Sequence, residues 1–254
     1  MKSSWRYKLL PLVGPLLLFL LWQTAVSAKW LNPVLLPSPG ETVSYLFSKL
    51  ADGSMNQDIG ATLYRTLMAF FVSAVIGVPL GVMLGSSERL YRSVEFLVDF
   101  FRSTPSSALI PLFMLIFGIT DTNKIAIAAF AAVLVILFNS AYGVMNAKKT
   151  RIMAAQVMGV SRWHVFIDIM LMESLPQTFV GLRTGVSMAL VIVIVAEMFI
   201  GSETGLGHRI IDAQQLFNIK DMYASILITG AFGYLLNLAF LLIEKRCVHW
   251  SGKA

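Results

Sequence analysis

The stretch MAAQVMGVSRWHVF, residues 153–166, stands between two long apolar runs and differs from both in composition. Ala155 and Gly159 recur with Arg162 and Trp163 at intervals of three to four residues, which predicts one face of a helix. Small residues let another surface approach closely, and arginine and tryptophan commonly anchor interfaces. The residues alone favour two interpretations equally: a helix on which a partner protein docks, or an amphipathic helix lying on a membrane surface.

The composition of the whole chain indicates a membrane protein. Of its 254 residues 57% are hydrophobic and 13% are charged, whereas soluble domains average about 25% charged residues. Backbone polar groups inside a bilayer must be satisfied internally, so long and uniformly apolar runs predict helices rather than barrel strands. The single cysteine, Cys247, has no intrachain partner, and the three scattered histidines show no metal-ligand spacing.

Six apolar runs are each close to the roughly 20 residues that cross about 30 Å of hydrocarbon. They are residues 9–28, 66–85, 96–119, 125–145, 175–200 and 222–243. The sequence therefore predicts an all-α membrane protein with six transmembrane helices in one domain, residues 1–254. The first run could instead be a cleaved signal peptide, but it is longer than the roughly 7–15 apolar residues of such a peptide.

The distribution of lysine and arginine predicts the orientation. If the N-terminus is cytoplasmic, the cytoplasmic segments carry twelve of these residues and the outer segments six. Because cytoplasmic loops of membrane proteins are enriched in positive charge, both termini are predicted to be cytoplasmic. The net charge of +6 then reflects topology rather than nucleic-acid binding. The protein is predicted to lie in the bacterial inner (plasma) membrane, with residues 150–166 in the cytoplasm.

The run AAQVMGVSRWHVFIDIMLMESLPQ, residues 154–177, resembles the cytoplasmic loop of ATP-binding-cassette importer permeases, whose pattern is Glu-Ala-Ala, three residues, Gly, nine residues, Ile-x-Leu-Pro. The matching residues are Ala154, Ala155, Gly159, Ile169 and Leu171. Met153 and Met172 depart from the pattern, standing where the family usually has Glu and Pro. LPSPGETV (36–43), RSTPSSALIPLFMLIFGI (102–119) and GLRTGVSMALVIVIVAEMFIGSETGLG (181–207) resemble the nitrate, sulfonate, taurine and bicarbonate branch.

The resemblance implies that residues 150–166 form a coupling helix that docks on a cytoplasmic ATP-binding subunit. The residues expected at this contact are Ala154, Ala155, Gly159, Arg162 and Trp163. It also implies two copies of that subunit, a second permease copy and an extracytoplasmic substrate-binding protein. The chain contains no phosphate-binding G-x-x-x-x-G-K-[ST] motif, so ATP and magnesium are expected on the partner, with no cofactor bound here and no enzymatic reaction. The branch suggests a small oxyanion or sulfonate as cargo.

Polar residues within the predicted spans are costly and need an explanation. Four hydroxyl residues near the prolines of span three offer donors that could pass an anion, or could satisfy backbone groups that proline frees; they are Ser103, Thr104, Ser106 and Ser107. Glu197, near the outer end of span five, is predicted to line the pathway or a dimer interface, or to hold the glycine-rich loop that follows. Arg183 is expected to find a cytoplasmic carboxylate or to extend to the membrane surface. The glycines at 77, 81 and 85 predict close helix packing.

The main prediction is the permease subunit of an ATP-driven importer, and the alternative is a secondary transporter or channel that works alone. The alternative requires intramembrane carboxylates for ion coupling, for which Glu197 and Asp99 are the candidates. A membrane enzyme would need a convergent polar constellation, whereas all three histidines lie outside the predicted spans.

Overall fold

The computed structural model describes residues 5–32 and 34–248, and every regular element in these ranges is helical. In chain order they are α1 (Trp5–Ser27), α2 (Pro39–Ala51), α3 (Asn56–Gly85), α4 (Glu88–Ser103), a 3₁₀ turn (Ser106–Leu109), α5 (Ile110–Phe117), α6 (Asp121–Met145), α7 (Lys149–Val157), α8 (Arg162–His164), a π-helical segment (Val165–Leu171), α9 (Met172–Phe199), α10 (Leu206–Gln215) and α11 (Ile219–Cys247). The predicted all-helical class is confirmed.

Four helical stretches in the described residues are long and apolar enough to cross a membrane. They are α3, α6, α11 and the 38-residue run Arg162–Phe199, in which α8, the π-helical segment and α9 follow one another. A fifth is counted if α4 and the helical segment after it, Ser106–Phe117, are taken as one broken span. The described apolar part of α1 is shorter, Val13–Ser27.

The predicted third span, residues 96–119, is not one continuous helix in the structure. Helix α4 begins at Glu88, after Ser87 caps it, and ends at Ser103. Thr104 is extended, with φ −79° and ψ 125°, because the proline that follows disfavours the helical conformation. The chain then turns by 89° into the 3₁₀ turn and α5. The prolines therefore divide the third apolar run into two short helices.

Helix α3, which contains the second predicted span, begins at Asn56, ten residues before the predicted apolar run starts at residue 66. The apolar run was predicted to start at residue 66 because the charged residue Arg65 directly precedes it. In the structure Arg65 is only 3% exposed and lies inside α3, where buried acceptors compensate its charge. A charge with internal partners does not end a membrane helix.

Helices α3, α6 and α9 form the packed centre of the fold. A Cβ atom added at Gly81 would lie 2.4 Å from the carbonyl oxygen of Leu137, and one at Gly85 would lie 2.5 Å from that of Ala141. Glycine at these sites lets the backbones of α3 and α6 approach, as the spacing of glycines predicted. On α9, a Cβ at Gly181 would lie 2.6 Å from the Asn139 side chain of α6.

The two ends of this bundle carry different structures. The starts of α3 and α6, the end of α9, and α10 form one end, here called the α10 end. The start of α9 contacts the α7 helix at the other, the α7 end. Helix α11 packs against α9 and α10, and Arg183 of α9 lies 3.7 Å from Glu244 of α11. The carboxylate partner expected for Arg183 is thus present.

Candidate functional site

Helix α7 is short and is closed at its C-terminal end by a glycine. Gly159 has a φ of +75°, in the left-handed region that favours glycine. Its N–H donates to the carbonyl of Gln156, and the N–H of Val160 donates to the carbonyl of Ala155, both at 3.0 Å. These bonds satisfy the last free carbonyls of the helix and end it. The hydroxyl of Ser161 then caps α8, so the chain turns directly into the long helix.

A carboxylate from the start of α9 holds the N-terminal end of α7. Glu173 accepts hydrogen bonds from the backbone N–H of Lys148 and from the guanidinium of Arg151, the latter at 2.6 Å. Lys148 is the residue before α7, and its own side chain makes no capping bond. Glu173 therefore supplies an acceptor for a helix end that has unpaired N–H groups and a partial positive charge. Glu173 thus links α7 to the start of α9.

The surface of α7 and of the turn after it carries exposed apolar side chains. Val157 is 88% exposed, Met158 74% and Trp163 66%. Met153, on α7 itself, is 58% exposed. Clustered apolar groups at the surface of a protein mark a contact with a partner or a membrane.

The residues predicted to dock on a partner do not share one face. Ala155 is 4% exposed and faces the interior of this chain, whereas Ala154, Gly159, Arg162 and Trp163 are exposed. The predicted periodicity fails because α7 ends at Val157 and the glycine turn changes the direction of the chain. A helix is present at the expected place, but Val157 and Met158, which the small-residue pattern did not single out, are highly exposed apolar residues there.

The four hydroxyl residues predicted for the pathway lie together where α4 gives way to α5. The hydroxyl of Thr104 donates to the carbonyl of Phe100 at 2.9 Å and thus satisfies a backbone group beside the proline. Ser106 is 8% exposed, while Ser103 and Ser107 are exposed. Ser107 also lines an apolar cavity of about 440 Å³ between α5 and α9. A role in a pathway stays a prediction for these residues.

Glu197 is fully buried near the α10 end of α9. Its carboxylate accepts from the hydroxyl of Thr62 (2.9 Å), the guanidinium of Arg65 (2.7 Å) and the N–H of Gly207 (2.9 Å). A Cβ at Gly205 would lie 2.4 Å from the carboxyl carbon, so the loop before α10 is pressed against this side chain. Burying a charge is costly unless it is paired and hydrogen-bonded, and Glu197 meets both conditions.

Arg65 extends this network to two further parts of the chain. Its guanidinium lies 2.8 Å from the carboxylate of Asp121 on α6 and donates to the carbonyl of Thr204 at 2.7 Å. Lys124, which is 3% exposed, donates to Asp121 at 3.2 Å. The network therefore joins α3, α6, α9 and the loop of residues 201–205. The sequence analysis missed Arg65 as a partner of Glu197, although an arginine followed directly by an apolar run was the available signal.

A second ionic cluster joins α10 to its neighbours. Arg209 pairs with Asp58 of α3 at 3.1 Å and with Asp221 of α11 at 2.9 Å. Burial lowers the pKa of Arg209, but the hydrogen bonds that its guanidinium donates to Asp221 and Asp58 outweigh burial and raise this pKa above its usual value. The cluster borders a polar cavity of about 410 Å³ that His208 also lines. Both clusters fix the position of α10 on the bundle.

Comparison with known proteins identifies the family. Residues 77–248 match the family described as binding-protein-dependent transport system inner membrane component. The taurine transport system permease protein TauC of Escherichia coli (strain K12) is 27% identical, over 95% of this chain and 90% of that protein. The putative aliphatic sulfonates transport permease protein SsuC of the same organism is 28% identical, over 98% and 94%. The nitrate import permease protein NrtB of Synechocystis sp. is 26% identical, over 94% and 88%.

The fold is also found in a solved structure of the MetNI methionine ABC transporter, described as inward facing. The TM-score is 0.67 at 22% identity, over 76% of this chain and 95% of that chain. Membership of the family implies an ATPase partner and a binding protein. The family consists of transport permeases and not of enzymes. The chain thus belongs to the binding-protein-dependent inner membrane components, as a multi-pass permease subunit of an ATP-binding-cassette importer in the branch of the taurine, sulfonate and nitrate permeases.

Proposed function

We propose that this chain carries a small oxyanion or sulfonate across the inner membrane after an extracytoplasmic binding protein has delivered it. Nitrate, bicarbonate, taurine and alkanesulfonates are the candidate solutes. The proposal draws on the names of the relatives, which concern taurine, aliphatic sulfonates and nitrate. Two copies of the chain would enclose the passage, and two ATPase subunits would drive it.

The proposed topology has six spans, with α1 as the first and the broken α4–α5 unit as the third. Both termini and α7 then lie in the cytoplasm, and α10 lies on the outer side. The excess of lysine and arginine in the segments predicted to be cytoplasmic supports this orientation, twelve against six in the outer segments. The α7 end is thereby available to a cytoplasmic ATPase and the α10 end to a binding protein.

The observation that carries the proposal is the apolar surface of the α7 segment. Val157, Met158 and Trp163 are exposed at the point where the chain turns between two spans. We infer that these side chains insert into an apolar cleft of the ATPase subunit. Met153, exposed where related permeases usually carry a glutamate, extends this apolar surface, so the contact in this protein rests on burial of apolar area more than on charge.

The mechanism follows from how α7 is attached. When the ATPase subunits move, α7 moves with them, and Glu173 transmits the displacement to the start of α9. Helix α9 is packed tightly on α6, which is packed on α3, so the three helices would move as a unit. Close-packed interiors transmit displacement with little compression. The Glu197 network would keep the far end of the unit intact during this movement.

A stand-alone secondary transporter that couples ions at Glu197 is disfavoured by the surroundings of this residue. Ion coupling needs a carboxylate that exchanges protons or cations with water during transport. Glu197 is fully buried and accepts from three side-chain or backbone donors. Opening this site would break several charge-assisted bonds at once, which suits a structural anchor.

The test is to place a charge on the apolar surface of α7. In Val157→Asp the carboxylate would be buried against the ATPase without a partner, so we expect co-purification of the ATPase and ATP-driven uptake to fall at least about tenfold. Because Val157 is 88% exposed, the permease itself should still fold and insert. The measurement is the amount of ATPase recovered with tagged permease.

The matched control is Leu216→Asp. Leu216 is 79% exposed but lies after α10, at the opposite end of the bundle. Recovery of the ATPase should be unchanged in this variant. Equal recovery with Val157→Asp and with the unmodified chain would show that the ATPase does not dock on this surface.

A further inference from the structure

Helix α4 carries five of its six charged residues on one face. They recur every three or four residues, at Glu88, Arg92, Glu95, Asp99 and Arg102. This spacing places them on one stripe, here called the α4 stripe, which is about 21 Å long. All five are exposed, and the side chains of Asp99 and Arg102 are 58% and 46% exposed.

The other faces of α4 are apolar and differ in their surroundings. Val98 belongs to a buried cluster with Leu137 and Ala141 of α6, and Val94 packs against the same cluster. Leu97 and Phe100, with Phe96, are exposed on the remaining face at 53%, 55% and 78%. One face of α4 is thus held by α6, one is suited to lipid, and the stripe is polar.

The Arg102 end of the stripe lies near the middle of a membrane span. The ring centroids of Phe101 and Phe130 are 5.6 Å apart, and the guanidinium carbon of Arg102 is 4.2 Å from the ring centroid of Phe138. Phe130 is less than one turn from the midpoint of α6, and Phe138 is about one and a half turns from it. The stripe therefore runs from the end of the bundle to this depth.

Charges exposed at such a depth cannot face hydrocarbon. Asp99 and Arg102 lie 4.0 Å apart, at the limit of an ion pair, and Glu95 makes no ion pair within the described residues. We propose that the α4 stripe lines a water-filled passage, and that Arg102 contacts the transported anion within it. The inference rests on the proposed import function, and the ligand class is a small oxyanion or sulfonate.

The chemistry of the site fits a transient contact. A guanidinium presents planar N–H donors that match the oxygens of an oxyanion or a sulfonate. Asp99 competes for the same guanidinium from 4.0 Å, which weakens binding enough for the anion to leave. Ser103 is exposed next to Arg102, and the other hydroxyl residues follow at the break between α4 and α5. The passage would continue along them.

The first experiment asks which face of α4 is wet. In a Cys247→Ser background, single variants Glu95→Cys and Asp99→Cys are compared with Leu97→Cys and Phe100→Cys, in the assembled transporter and with water-soluble methanethiosulfonate reagents. Only a thiolate reacts, and it forms in water, so the stripe positions should react at least about tenfold faster. Equal rates on the two faces, or faster reaction at the apolar positions, would overturn the passage.

The second experiment asks whether Arg102 attracts anions. At Ser103→Cys, the rate with 2-sulfonatoethyl methanethiosulfonate, itself a sulfonate, is divided by the rate with the neutral methyl reagent. Arg102→Gln should lower this ratio on the order of tenfold, and Arg102→Lys should retain most of it. Arg89→Gln, the same change on α4 but off the stripe and about 20 Å away, should leave it unchanged. An unchanged ratio in Arg102→Gln would overturn the anion contact.

These labelling rates need neither ATP nor an identified solute, so they separate this inference from the proposed function. If the stripe is dry while the wild type shows ATP-driven uptake, the passage is wrong and the import function stands. If the stripe is wet and attracts anions but the wild type shows no ATP-driven uptake, the import function is wrong and the passage stands.

Discussion

Two arginines in this protein occupy opposite environments within helices that run beside the same span, α6. Arg65 is 3% exposed, and Glu197, Asp121 and a backbone carbonyl share its guanidinium. Arg102 has a side chain that is 46% exposed, with one distant carboxylate. A membrane-depth charge costs about 2.5–3.5 kcal/mol on insertion scales, so each must be compensated. The protein itself compensates Arg65, which makes it structural, and water and solute would compensate Arg102.

The largest loss of stability is expected when Glu197, the buried partner of Arg65, is replaced. In Glu197→Ala, Arg65 keeps a buried charge without its closest partner, so we expect a loss of about 3–5 kcal/mol of stability and poor recovery of the complex. Arg102→Gln removes an exposed charge and a cation–π contact, so its loss should not exceed about 1 kcal/mol. Thermal unfolding of both variants in detergent measures the difference. Glu197→Gln, which retains an acceptor oxygen, should fall between them, and equal stability of all three would break the comparison.

A smaller effect is expected where helices touch without charge. Gly81→Ala places a Cβ 2.4 Å from a carbonyl oxygen of α6, so α3 and α6 must separate, at about 1–3 kcal/mol. Gly60→Ala is the matched control on the same helix, because a Cβ there would meet nothing within 4 Å. Thermal unfolding should distinguish the two variants clearly. Because alanine favours a helix over glycine, Gly60→Ala should be neutral or stabilising. If it were as destabilising as Gly81→Ala, close packing of α3 on α6 would not account for the loss at Gly81.

A small effect on stability, but a specific one on function, is expected at Glu173. Glu173→Ala removes two hydrogen bonds from the attachment of α7 and leaves its apolar surface unchanged. Because the Arg151 side chain is 60% exposed, the loss of stability should not exceed about 1 kcal/mol. We expect the ATPase to co-purify normally while less solute is imported per ATP hydrolysed. In Glu173→Gln the amide oxygen can still accept from the backbone N–H of Lys148, so the solute imported per ATP should fall less than in Glu173→Ala. The measurement is the amount of solute imported per ATP hydrolysed in proteoliposomes. A wild-type value in both variants would contradict the role of Glu173.

Local sequence patterns accounted for the helices and for the place of α7, because apolar runs and glycine spacing are properties of neighbouring residues. The continuation of α3 through Arg65 back to Asn56 was not predicted. Arg65 is compensated by Glu197, 132 residues away, and no local pattern carries that information. The face of α7 was misjudged because the positive φ of Gly159 ends the helix within the pattern. Asp99 and Arg102 lie inside the predicted apolar run 96–119 and the other three residues of the α4 stripe precede it, so the five were not recognised as one surface.

The most direct test of the import function is uptake by the reconstituted transporter. Permease, ATPase and binding protein are combined in proteoliposomes and supplied with nitrate, bicarbonate, taurine or ethanesulfonate, with ATP or with an ion gradient. The account predicts that at least one of these anions accumulates with ATP on the ATPase side and binding protein on the other, and that ion gradients alone drive none. Accumulation by the permease alone, driven by an ion gradient without ATPase or binding protein, would contradict it.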